Sequence, residues 1–214
     1  MKKIFLASLL LILISFAISI CEYGSIPSEM AVHWNEMGEE DGHMAKEWGL
    51  FLIPATMIFL LLLFLAIPRI DPLRKNIEKF RKYYDGFIFI FLFYLAVIHF
   101  QIILWNLGIK MDFNLTMPLL FALLFFYLGI LLSRAERNWF VGIRTPWTMS
   151  SDYVWKKTHE MGGKLFKIAA IIAVFSIFVR DYAIFIVLIP IFAISLFLVI
   201  YSYILWRREE PAKP

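Results

Sequence analysis

Six long apolar runs divide the chain, at residues 4–21, 49–67, 86–106, 117–133, 165–179 and 182–206, with polar connectors between them. A helix rises about 1.5 Å per residue, so a run of about 18 apolar residues covers the roughly 30 Å hydrocarbon core of a bilayer. Within lipid every backbone N–H and C=O must be paired inside its own segment, which makes these runs helices. The pattern predicts an all-α, polytopic membrane protein of six transmembrane helices. Three parts follow from it. Residues 1–67 form a helix pair joined by an acidic loop at 22–48, residues 68–85 a basic amphipathic connector, and residues 86–214 a four-helix region with a connector at 134–164.

Composition agrees with that class. The chain of 214 residues is 61% hydrophobic and 18% aromatic, and its mean hydropathy is +0.75, well above soluble usage. The single Cys21 excludes an internal disulfide and any multi-cysteine metal site. The formal net charge of +4 does not imply direct contact with nucleic acid, because the basic residues sit beside membrane ends, against the bilayer.

Their distribution sets an expected orientation. Lys2 and Lys3 precede the first run; Arg69, Arg74, Lys75, Lys79, Arg81 and Lys82 lie in the second connector. Arg134, Arg137, Arg144, Lys156, Lys157 and Lys164 lie in the fourth, and Arg207, Arg208 and Lys213 in the tail. Only Lys46, Lys110 and Arg180 fall on the other side. The positive-inside rule therefore places both termini and connectors two and four in the cytoplasm, and the protein in the cell membrane. The first run, after Lys2 and Lys3, is expected to be an uncleaved signal anchor, since Ala17, Ile18 and Ser19 make a poor cleavage site.

The expected external loop carries Glu22, Glu29, Glu36, Glu39, Glu40, Asp41 and Glu47 against Lys46 alone. An extended segment around His33 is predicted, then a turn and a return toward Lys46. Gly38 and the pair Asp41 and Gly42 serve as turn formers, and Asn35 as the acceptor of an Asx turn. Trp34 and Trp48 would settle at the membrane interface. Histidine and carboxylate ligands suit zinc, but the spacing of His33 and His43 matches no established site, so no metal or other cofactor is expected. Connectors three and five are too short to host a substantial site, leaving connector one to meet any external ligand.

In connector two, Leu73, Ile77, Phe80 and Tyr84 recur at helical spacing between basic residues. That pattern predicts a helix lying in the headgroup plane and attracting anionic lipid. In connector four, Gly142 permits a sharp bend and Pro146 disfavours helix at Thr145. Thr148, Ser150 or Ser151 can cap a following helix, with Asp152 in its first turn. Trp155 and His159 share a face, and Gly162 with Gly163 would stop or hinge that helix. Trp139, Trp147 and Trp155 beside Arg144 would form an aromatic–guanidinium cluster.

The segment N-W-F-x-G-I-R-T-P-W-T, from Asn138 to Thr148, followed by V-W-K-K-T-H-x-x-G-G, ending at Gly163, resembles the signature of the SdpI family. The stretch H-W-N-x-x-G-x-x-D-G at 33–42, with Lys46 and Pro54 opening the second helix, resembles that family's N-terminal domain of unknown function. Ala31 stands where related sequences often carry Pro. The resemblance implies immunity to a secreted antimicrobial peptide toxin, met outside. It also implies signalling by holding a small transcriptional repressor at the inner face. On it, His33, Trp34, Asn35, Gly38, Asp41 and Gly42 are candidate external binding residues. Asn138, Gly142, Arg144, Thr145, Pro146, Trp147, Thr148, Trp155, His159, Gly162 and Gly163 are the candidate cytoplasmic motif.

Two other classes stand beside this one. A small transporter or channel would use His99 and Gln101, polar groups on the third run whose burial in lipid demands partners. A membrane enzyme would use the region 144–159. No zinc-protease spacing follows His159, and no P-loop, G-x-S-x-G or dinucleotide fingerprint occurs, so no catalytic residue is assigned.

Overall fold

The computed structural model describes residues 2–209; Met1 and residues 210–214, with Lys213 of the basic tail, lie outside the described residues. The chain runs α1 (Lys2–Glu22), β1 (Glu29–Trp34), β2 (Glu40–Ala45), α2 (Lys46–Ile70), α3 (Arg74–Lys79) and α4 (Arg81–Asn106). It continues α5 (Phe113–Leu132), α6 (Pro146–Ser150), α7 (Asp152–Phe175) and, after two short 3₁₀ turns, α8 (Ala183–Glu209). Six of the helices are long and apolar enough to cross a membrane, so the protein is a multi-pass helical membrane protein. The expected runs all appear, most of them longer than their apolar cores. Asp112 starts α5 four residues ahead of Met117 by accepting from the Asn114 N–H at 2.9 Å.

Proline does not break these helices. Pro54 sits within α2 rather than opening it, Pro118 within α5, and α8 runs through Pro190. Transmembrane helices tolerate this where neighbours satisfy the freed backbone groups.

Loop one folds into an antiparallel two-stranded hairpin between α1 and α2. Its acidic tip lies at one end of the bundle with the α4–α5 and α7–α8 connections. The basic connectors gather at the other end. These are called here the acidic end and the basic end.

Two features of the basic end depart from expectation. The stripe Ile77, Phe80 and Tyr84 does not lie on a headgroup plane: each is almost fully buried, in the cluster that also holds Met57, Leu92 and Trp155. The helix breaks at Phe80, giving the six-residue α3 and then the spanning α4, so only the basic flanks remain outward. Nor do Gly162 and Gly163 stop or hinge α7, which is continuous through them. The missing side chain of Gly163 lets α7 cross α5 closely, while Gly162 faces Ile143 and Leu198. A methyl at Gly163 would meet the Gly129 carbonyl at 2.7 Å and collide with the Ser133 hydroxyl. Small residues at such crossings let helix backbones approach where the bilayer gives no hydrophobic drive.

Candidate binding sites at the two ends of the bundle

At the acidic end the hairpin is tied down by asparagines from the helix ends below it. Ala31 N–H donates to Asn106 Oδ1 at 2.8 Å, and Asn106 Nδ2 donates back to the Ala31 carbonyl at 3.0 Å. A proline at position 31 has no N–H to give, so Ala31 is what permits the reciprocal pair. Asn114 Nδ2 at the start of α5 donates to the Glu36 carbonyl at 3.1 Å.

Asn35 makes the expected turn. Its Oδ1 accepts from the N–H groups of Met37 and Glu39, both at 3.0 Å, while Gly38 supplies φ +78°. Asp41 and Gly42 are not turn residues; both lie in β2. Gly42 stands opposite His33 where the register slips, and a methyl there would press on His33 Cβ at 2.9 Å. Asp41 is bulged out of the pairing and its carboxylate meets His33 Nδ1 at 2.5 Å. Among the described residues no group of three potential metal ligands forms.

Trp34 turns inward instead of resting at the membrane interface. Its ring stacks on Phe113 at 4.2 Å between centroids and meets Trp105 edge-on at 5.4 Å. Trp48 alone of the expected pair is outward, 72% exposed. Beneath the hairpin lies a cavity of about 300 Å³, walled by His33, Trp34, Asn35 and Glu36 above and by Ile98 and Ile102 of α4. Phe113, Asn114, Met117, Pro118 and Phe121 of α5 and Ala183, Ile184 and Val187 of α8 complete it. The buried Trp34 Nε1 has no hydrogen-bond partner among the described residues. A donor so placed can give a hydrogen bond to an acceptor that enters the cavity. Connector one does not act alone: the neighbouring helix ends, short connectors notwithstanding, build most of the wall.

Between the two ends, α1, α2 and α4 meet at one polar node. His99 Nε2 lies 3.0 Å from Ser19 Oγ and 3.3 Å from the Ser15 carbonyl, and Ser19 Oγ lies 2.7 Å from the Leu50 carbonyl. One hydroxyl has one proton, so Ser19 donates to Leu50 and accepts from an Nε2–H tautomer of His99. Gln101 Oε1 accepts from Thr116 Oγ1 of α5 at 2.8 Å. Both polar side chains thus join helices across the bundle.

At the basic end the 134–164 connector begins as a pinned loop, residues 134–145, and continues as α6 and the first turns of α7. Asn138, fully buried, accepts at Oδ1 from Phe140 N–H at 2.9 Å and Val141 N–H at 2.6 Å. Its Nδ2 donates to the Glu136 and Val141 carbonyls, both at 2.8 Å. Gly142 adopts φ +119°, and a side chain there would strike the His159 ring. His159 Nδ1–H donates to the Trp155 carbonyl at 2.8 Å, and Nε2 accepts from Ile143 N–H at 2.9 Å. The ring stacks on Trp155 at 4.0 Å, as their spacing predicts, and Trp155 Nε1 donates to the Ala135 carbonyl at 2.8 Å.

Thr145 is extended and caps α6 in a reciprocal capping box with Thr148, with Pro146 in the first turn. Its hydroxyl also meets Ser202 of α8 at 3.0 Å. Ser151 caps α7, with Asp152 in the first turn. The three tryptophans do not gather on Arg144. Trp147 packs on Tyr203 of α8 at 5.1 Å, Trp155 is buried, and Trp139 is exposed. None of the guanidinium–ring contacts among the described residues involves Arg144; it donates to the Trp139 carbonyl instead.

Asp71 and Asn76 were not singled out in the sequence, yet they hold this loop to the second connector. Asp71 Oδ2 accepts from Trp139 N–H at 2.9 Å and Asn76 Nδ2 donates to the Arg137 carbonyl at 2.7 Å. Asn106 was missed likewise, although a polar residue closing an apolar run was a visible signal.

Residues 134–203 match the SdpI/YfhL protein family, and residues 10–58 match a domain of unknown function, DUF1648. The chain is 26% identical over 202 residues to the Immunity protein SdpI of Bacillus subtilis (strain 168), covering 94% of this chain and 95% of that one. No solved structure matches.

Proposed function

We propose that this chain, which matches the SdpI/YfhL protein family over residues 134–203 and is similar along 94% of its length to an immunity protein, protects its cell by capturing a secreted peptide toxin at the acidic end, facing outward. The observation that carries this reading is the hairpin-roofed cavity with the unpartnered Trp34 N–H in its wall. An apolar pocket with one convergent donor suits a peptide whose apolar side chain fills it and whose backbone carbonyl accepts from the indole. The charge split between connectors supports the orientation, with the basic end in the cytoplasm. On that side Trp139 and Arg144 are exposed on a loop fixed from behind by Asn138 and Asp71. They offer a docking surface for a cytosolic partner such as a small repressor.

The test is survival of Bacillus subtilis lacking its own immunity protein, expressing this chain and challenged with the toxin. The wild-type chain should protect. Trp34→Phe keeps an aromatic ring against Phe113 but removes the indole N–H along with part of the bicycle, and His33→Ala with Asp41→Ala removes the pair at the cavity mouth. Both variants, at equal membrane abundance, should lose protection at least tenfold in lethal dose. Full protection by both would remove the cavity from the mechanism.

A further inference from the structure

Among the described residues, the serines of the spanning segments place their hydroxyls on backbone carbonyls, with one exception. A helical serine in lipid commonly donates to the carbonyl four residues back. Ser15 donates to Leu11 at 2.9 Å, Ser133 to Gly129 at 2.8 Å and Ser195 to Ile191 at 2.8 Å. Ser8 of α1 is 1% exposed and its hydroxyl has no hydrogen-bond partner among the described residues. It lines an apolar crevice of about 310 Å³ between α1, α2 and α4, with Phe5, Leu61 and Ile88 among the walls.

The crevice opens at the basic end into a wider cleft of about 590 Å³, and the two share Leu65, Arg69 and Arg81. Arg74, Lys75 and Glu78 of α3 complete the rim. Arg81 is engaged by the buried Asp85 at 2.5 Å. Arg69 gives one terminal nitrogen to the Leu65 carbonyl at 2.7 Å and is otherwise exposed, as are Arg74 and Lys75. The site therefore has a cationic mouth, a buried hydroxyl just below it and an apolar slot beneath. That is the order of groups along a phospholipid: phosphate, ester carbonyl, acyl chain.

The geometry points to a specific site for one anionic phospholipid. Its phosphate lies between Arg69 and the α3 cations, its ester carbonyl accepts from Ser8, and one acyl chain follows Phe5 and Ile88. This lipid fastens α1 to the α2–α4 pair at the end where no hairpin ties it. Arginine suits the mouth because its planar fork binds phosphate oxygens in pairs. The proposal stands independently of toxin capture.

The test uses the full chain purified in detergent, with lipid retention read by native mass spectrometry and thermal stability read in parallel. Added probes are dioleoylphosphatidylglycerol, dioleoylphosphatidylcholine and inorganic phosphate. One phosphatidylglycerol should be retained per chain and should raise the melting midpoint; phosphatidylcholine and inorganic phosphate should not. Arg69→Gln with Arg74→Gln removes charge from exposed positions, and Ser8→Leu fills the slot without changing charge. Each should cut retention about tenfold or more while the protein remains monodisperse. Equal retention of the two lipids, stabilisation by inorganic phosphate alone, or retention unchanged in both variants would overturn the site.

Discussion

His159 has both ring nitrogens committed, one to the helix behind it and one to the loop in front. That double engagement makes it a fastener of the 138–143 loop. Truncating it to Ala leaves the Ile143 N–H unpaired and strips the stack from Trp155, a loss of about 1–3 kcal/mol for the orphaned donor alone. The melting midpoint of His159→Ala in nanodiscs should fall clearly, with His159→Gln falling less because an amide can still accept from Ile143. Unchanged melting in His159→Ala would contradict the fastening role. Gly142 must lack a side chain because that ring fills the space. These single-residue roles were partly legible in the sequence. Asn35, Gly142, Thr145 and Ser151 act through backbone geometry written into their own side chains. Arg144 was misjudged because guanidinium stacking depends on where three tryptophans point, and helix rotation decides that. Asn106, Asp71 and Asn76 escaped because each bonds a backbone group far along the chain, which no local pattern records.

At the scale of elements, hydropathy located all six long helices but not how they meet. Gly162 and Gly163 look like a helix stop when read along one segment. Gly163 proves to be the notch into which α5 fits, since Gly129 and Ser133 lie across from it, while Gly162 makes room for Ile143 and for Leu198 of α8. The stripe on connector two showed the right period but faced protein instead of lipid, a choice set by the cluster available to cover it. Gly163→Ala should therefore cost stability even though alanine favours helix. It forces backbone apart at a contact of 2.7 Å, an overpacking penalty of about 1–3 kcal/mol. Thermal melts of Gly163→Ala and of Ser195→Ala, a control at an exposed position of α8 away from that crossing, separate this from a general sensitivity to small changes. A midpoint in Gly163→Ala equal to wild type would show that the crossing has slack.

For the whole molecule, the hairpin, the cavity and the pinned loop matter only through the side of the membrane each faces. The acidic hairpin with its cavity stands at one end and the basic loop at the other, and the orientation proposed from the charge split puts the first outside and the second inside. Single-cysteine labelling in a Cys21→Ser background measures this directly. Glu39→Cys reports the hairpin tip. Ser150→Cys reports the basic loop, because Ser150 is exposed, whereas its neighbour Ser151 is buried as the cap of α7. A membrane-impermeant maleimide applied to intact cells should label position 39 at once and position 150 only after the membrane is opened. Labelling of both from the same side, or of position 150 alone in intact cells, would contradict the account.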